Sequence, residues 1–178
     1  MLRDDPARPE SHWNSSGPDA DSTECRRYQR GNFVALLPVR QRYTSGHAWL
    51  ELAPDVAAGR WRVGLTKFAT RALGDIVEVQ FTMKPGDLVE PDDIVGSIEG
   101  FKALSDLHCV GRGVFAGGNP VLDAGPEAVG RDPHGTGWLY AFEGEAGADF
   151  LDVDGYCRVL DQTIDRLMAA EKQQDEAR

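Results

Sequence analysis

Long apolar runs are missing from this 178-residue chain, and so is any surplus of basic charge. No run approaches the roughly 20 consecutive apolar residues of a membrane-spanning helix, so no membrane span is expected. The 19 Lys and Arg against 29 Asp and Glu give a net charge of -10, the wrong sign for a nucleic-acid footprint. Cysteine is scarce too: Cys25, Cys109 and Cys157 are odd in number and far apart, and no C-x-x-C pair occurs. That argues against a disulfide framework and against a zinc site. The opening "MLRDDPARPESHW" carries acids and prolines and lacks the apolar stretch of a signal peptide, so the cytoplasm is the expected compartment. Lysine is the sharpest shortage. Between Met1 and Asp154 only Lys67, Lys84 and Lys102 occur.

What is present is the composition of an ordinary globular protein, 41% hydrophobic and 27% charged, with length for one domain. Residues 1–30 are rich in Pro, Ser, Asp and Arg without apolar period and are expected to be a flexible leader; residues 31–178 form the domain. "NFVALLPV", "HAWLELA", "RWRVGL" and "DIVEVQFTM" read as strands, the last with Ile76, Val77, Val79 and Phe81 as its apolar set. "TKFATRALG" reads as a short helix capped by Thr66 and ended by Gly74, with Phe68, Ala69, Ala72 and Leu73 on one face. From Lys84 to Leu122, turn signals separate short apolar runs, as in an all-β sandwich or barrel, and "GWLYAFEG" adds a final strand. From about Val153 the period becomes helical, with Tyr156, Leu160, Ile164 and Leu167 on the docking face and "EKQQDEAR" fraying beyond. The expected fold is mainly β, a sandwich with a short inner helix and a terminal amphipathic helix.

"GSIEGFKALSDL" places Lys102 in a glycine-bounded, largely apolar hairpin turn, three residues after Glu99 and four before Asp106. Three readings suit such a lysine. It is a solvated turn residue; or a Schiff-base or acid/base lysine, which needs desolvation or a neighbouring cation that Glu99 and Asp106 do not supply; or the acceptor of a carrier group, projecting from a tight turn on a rigid β scaffold. Spacing alone does not choose among them. The adjacent pair His108–Cys109 suggests a metal only until strand alternation is considered, since neighbours on a strand face opposite ways. The glycines of "GRGVFAGG" resemble a nucleotide loop superficially; no helix pattern follows, and sharp β turns and bulges are expected.

The segment resembles the lipoyl-attachment region of the glycine cleavage system H-protein family, G-x-V-E-S-V-K-A-x-S-D, with Gly96, Glu99, Gly100, Lys102, Ala103, Ser105 and Asp106 in matching places. "YTSGHAW" resembles the family's Y-T-x-x-H-E-W, and "VGLTKFATRALGD" resembles V-G-I-T-x-x-A-x-x-x-L-G-D. "KPGDLVEPDDIVGSIE" follows the approach to the attachment motif, and "RDPHGTGWL" is similar to N-x-D-P-Y-G-x-G-W-L. The likeness runs from about Tyr43 to Leu139. Biotin carriers fit less well, because their lysine is flanked by methionines and Lys102 by Phe101 and Ala103.

The resemblance implies a lipoyl-type β-sandwich with lipoate in amide linkage on Lys102, acting as a shuttle and not as a catalyst. Its implied partners are glycine decarboxylase, aminomethyltransferase, dihydrolipoamide dehydrogenase and a lipoate ligase or lipoyl transferase, with an aminomethyl group as cargo. Glu99, Gly100, Ala103, Ser105 and Asp106 would form the attachment motif, Glu99 and Asp106 serving ligase recognition; His47 is a candidate for the cleft or for packing. Departures from the pattern bear on the cargo. Ala48 stands where the family has a glutamate that holds the loaded arm, and Gly46 replaces Ser or Glu. A lipoate carrier of another pathway, such as lipoyl relay or sulfur oxidation, and a non-lipoylated interaction module remain alternatives.

Overall fold

The computed structural model describes residues 24–54 and 59–176. Strand β1 (Cys25–Arg30) forms an antiparallel hairpin with β2 (Phe33–Pro38), the turn made at Gly31 with φ of 53°. Then follow β3 (Arg42–Tyr43), β4 (Ala48–Leu52), β5 (Arg60–Leu65), α1 (Lys67–Leu73), β6 (Ile76–Phe81), β7 (Leu88–Val89), β8 (Ile94–Gly100) and β9 (Leu104–His108). β10 (Gly111–Gly118), α2 (Val121–Ala124), α3 (Ala128–Arg131), β11 (Tyr140–Ala146) and α4 (Val153–Glu176) complete the described chain.

A six-stranded antiparallel sheet in the order β3-β4-β5-β11-β10-β7 packs on a three-stranded sheet, β6-β8-β9. Their shared core joins Leu50, Val63, Phe115 and Phe142 of the larger sheet to Ile76, Val95, Ile98 and Leu107 of the smaller. Strand alternation sends the next side chains the other way. Trp49, beside Leu50, is fully buried in a second cluster with Tyr28, Leu37, Tyr43, Tyr156 and Leu160, where the β1–β2 hairpin and α4 cover the larger sheet. Tyr43 and Tyr156 stack at 4.7 Å and 8°. Trp49 Nε1 donates to the carbonyls of Leu65 and Pro133, and Gly64 has no side chain because a Cβ there would collide with the Trp49 ring.

The loop "DPHGTGW" closes over this cluster. His134 Nδ1 meets Gln41 Oε1 at 2.7 Å, and its ring stacks on Trp49. Burial pushes the His134 imidazole down to about 4, so it packs as a neutral ring.

The sandwich, the inner helix and the terminal helix are as the pattern indicates; several details differ. Residues Cys25–Arg30, assigned to a leader, form β1; residues 1–23 lie outside the described residues. β1 shows no apolar period because Tyr28 is its only buried residue, and it is held by pairing with β2 and by polar bonds to α4. Tyr28 donates to Asp161 at 2.8 Å, and Arg30 forms a two-nitrogen contact with Asp165. Four-residue helices α2 and α3 occupy turn-rich sequence too short to show a helical period. A register shift between Ile76 and Glu78 leaves Val77 51% exposed, and α1 buries Thr70 in place of Ala72. α4 runs on to Glu176, but it docks only as far as Ile164; Leu167 is 52% exposed. Leu160→Ala should therefore cost about 2–5 kcal/mol, and Leu167→Ala within about 0.5 kcal/mol, measured by urea denaturation of the full chain.

Candidate functional site

The β8–β9 hairpin turns over Phe101, Lys102 and Ala103, and the Gly100 amide closes it by donating to the Ala103 carbonyl at 2.9 Å. The tip does not float. The Lys102 amide donates to the Leu73 carbonyl, and the Phe101 amide to that of Asp75, both at 2.9 Å. The last carbonyls of a helix lack partners within it, and here the hairpin supplies one for α1. Gly74 ends that helix at φ of 79°, its amide bonded to Thr70, so the chain can turn away. Gly100 is buried against this junction, where a Cβ would collide with the Leu73 carbonyl oxygen.

The backbone of the tip is thus fixed while its side chains stand in solvent. Lys102 is exposed and has no ion pair among the described residues. Phe101 is 81% exposed and Leu104 69%. A lysine that acts as nucleophile or base needs a desolvated pocket, and none encloses Lys102. An exposed amine on a rigid turn is instead open to an enzyme that acylates it.

The motif residues divide between two tasks. Gly100 and Ala103 shape the tip, and Glu99 lies exposed on β8 opposite Leu104. Ser105 and Asp106, exposed on β9, line a cleft of about 620 Å³ together with Gly46 and Ala48. Asp92 and Asp149 also line it, two carboxylates that no sequence motif marks. Asp106 thus brings the cleft to within four residues of Lys102 along the chain.

His47 does not take the cleft role considered for it. Between the cleft-lining Gly46 and Ala48 its ring turns the other way, with Nδ1 2.9 Å from the Tyr156 hydroxyl and the ring 4.5 Å from that of Phe68. Burial lowers its pKa, so it too packs as a neutral ring. His108 is exposed, whereas Cys109 is buried with its thiol pushed up by desolvation; they face apart. No group of His, Cys, Asp or Glu that could hold a metal occurs among the described residues. No helix among them is long and apolar enough to cross a membrane.

Sequence reading found the lysine and its turn but missed the clamp. Its signal was the "LGD" of residues 73–75, read as a helix stop and not as a seat for the hairpin. Gly100→Ala tests the clamp. It should cost about 1–3 kcal/mol by overpacking, and the Lys102 amide should lose its protection against hydrogen exchange.

Known proteins share this architecture. The family model described as Glycine cleavage H-protein matches residues 41–152. A glycine cleavage system H protein from Bacteroides fragilis is 38% identical over 127 residues, covering 70% of this chain and 97% of that protein. One from Beutenbergia cavernae is 38% identical over 120 residues, covering 67% of this chain and 93% of that protein. The crystal structure of a glycine cleavage system H protein from Mycobacterium marinum superimposes with a TM-score of 0.60 at 34% identity, covering 67% of this chain and 95% of that one. The lipoyl-type β-sandwich and these matches assign the chain to the glycine cleavage H-protein family.

Proposed function

We propose that this chain is a lipoyl carrier of a glycine cleavage system and that lipoate is joined in amide linkage to Lys102. The observation that carries the reading is the pairing of a clamped backbone with a solvent-exposed amine at the motif lysine. Bound there, lipoate supplies a disulfide that cycles with its dithiol and a thiol that carries an aminomethyl cargo. The protein's own residues present and shelter; none is assigned a catalytic step. The hairpin holds the point of attachment still while α1 fixes its orientation. Glu99 and Asp106 give a ligase or lipoyl transferase an acidic frame around the amine. Glycine decarboxylase, aminomethyltransferase and dihydrolipoamide dehydrogenase are the partners that visit the tip, and the net charge of -10 favours partners with basic docking faces.

The aminomethyl cargo is a cation at neutral pH, and the cleft beside the tip has Asp92, Asp106 and Asp149 on its walls with no Lys or Arg. Ala48, which also lines the cleft, removes the carboxylate that the family pattern offers. A second reading, the same arm with another cargo as in lipoyl relay or sulfur oxidation, rests on Ala48 and Gly46.

Two experiments test the assignment. Peptide mapping of protein from lipoate-replete native cells should find one lipoyl group, on Lys102. Lys102→Arg should abolish labelling and leave stability within about 0.5 kcal/mol; an unmodified Lys102 in those cells refutes the carrier reading. Glycine–bicarbonate exchange at matched lipoylation then tests the cargo. A hydrogen bond to a charged group contributes on the order of 1.5–3 kcal/mol, so Ala48→Glu should slow loss of the aminomethyl group about tenfold to a hundredfold. An unchanged loss rate would show that a carboxylate at this position is dispensable.

A further inference from the structure

A second groove, of about 760 Å³, adjoins the hairpin tip and shares no lining residue with the Asp106 cleft. Lys102 itself lines it. Phe33, Phe68, Ile164, Leu167 and Met168 form its apolar side, beside the polar Arg30, Asn32, Arg71 and Glu171, with the Arg71 guanidinium 5.7 Å from the centre of the Phe33 ring. Phe33 and Phe68 meet edge to face at 5.5 Å. Leu167 and Met168 are 52% and 43% exposed, although they stand on the same helix as the buried Leu160 and Ile164. Phe33, Ile164, Leu167 and Met168 all lie outside residues 41–152, so much of the groove is built by the N-terminal hairpin and by α4. Arg30 ties those two elements together through Asp161 and Asp165.

We infer that this groove is the resting seat of the lipoyl arm of Lys102 in its unloaded, oxidised state, with the neutral dithiolane and its aliphatic chain against Phe33, Phe68, Leu167 and Met168. The inference rests on lipoylation of Lys102. Three observations select this occupant. The attachment residue already borders the groove, so the arm reaches it without rearrangement of the backbone. Amide formation removes the lysine charge, which leaves an apolar chain to lie against Phe33, Phe68, Leu167 and Met168. The charged side chains lining the groove are Arg30, Arg71 and Glu171 besides Lys102, and Arg30 is held by two aspartates. A cationic cargo meets Arg71 and a single acid, Glu171, there, whereas three aspartates and no Lys or Arg line the other cleft. The empty arm thus rests on α4, beside the hairpin tip.

The test uses the full chain, lipoylated enzymatically and confirmed by intact mass, beside a Leu167→Gln, Met168→Gln double variant. Both positions are exposed and glutamine keeps helix propensity, so the variant should retain the parent melting temperature. In the parent, nuclear Overhauser contacts are expected between the Met168 methyl and the dithiolane methylenes. A seat occupied about nine-tenths of the time slows reduction of the dithiolane by uncharged dithiothreitol about tenfold, and the double variant should recover that factor. Equal reduction rates in the two proteins, or no contact to Met168 in the parent, overturn the inference while leaving the carrier reading in place. A Lys102 that no ligase or transferase loads overturns both.

Discussion

The amide of Lys102 donates to the carbonyl of Leu73, and the geometry of the candidate site depends on that bond. The role proposed for Lys102 sets opposed requirements. Its side chain must be free, or partner enzymes cannot handle it, and its backbone must be fixed, or presentation is diluted over many orientations. A two-stranded hairpin alone is marginal in water, and β9 is an edge strand of a three-stranded sheet. Fastening the tip to the end of α1 meets the second requirement without touching the first. The fastening is tight because Gly100 lets the two backbones meet at van der Waals distance.

α1 is in turn a strut with its other end secured. The Thr66 hydroxyl, at the head of α1, lies 2.7 Å from the Tyr156 hydroxyl, and Tyr156 is fully buried on α4. Thr66 makes no side-chain cap to its own helix, so its hydroxyl is available to another element. The same phenol meets His47 Nδ1, which joins the β3–β4 turn to the node. His47 occupies a left-handed conformation at φ of 65°, a sparsely populated state for a non-glycine residue, of order 1–3 kcal/mol. Packing of its ring against Phe68 and Tyr156 offsets that cost. A path of direct contacts therefore runs from α4 through Tyr156, Thr66 and α1 to Leu73 and the hairpin tip. It accounts for a terminal helix that never touches the sandwich core yet positions the site.

Much of this was legible in the sequence for reasons that can be named. Turn chemistry marks both ends of β8 and β9, and a lone lysine among apolar residues marks the tip. What escaped is tertiary. β1 buries one side chain, Tyr28, so period-2 analysis finds nothing in it. The helical period of α4 continues through Leu167 although the surface it packs on ends at Ile164; periodicity records which face is apolar and not how far the partner extends. Val77 was misplaced because a bulge resets the alternation, which no residue in "DIVEVQF" announces. His47 was ambiguous because its left-handed backbone decides where the ring goes. The acidic cleft draws Asp92, Asp106 and Asp149 from three separate segments, and only the fold brings them together.

Under the proposed function that cleft poses the remaining physical question, how a cation would be retained with no carboxylate at position 48. Exposed ion pairs contribute about 0–1 kcal/mol each, so three aspartates on an open wall do not equal one desolvated, hydrogen-bonded partner. They act through their summed field, which a chain of net charge -10 reinforces. A field differs from a contact in range and in salt dependence, because the screening length is about 8 Å at physiological ionic strength. Retention by the aspartates is therefore weaker, tolerant of the exact position of the amine, and eroded by salt. A glutamate at position 48 would hold one pose and resist screening. With Ala48 and Gly46 the cleft gathers positive charge without prescribing its geometry, which makes it a less selective shelter than the family pattern describes.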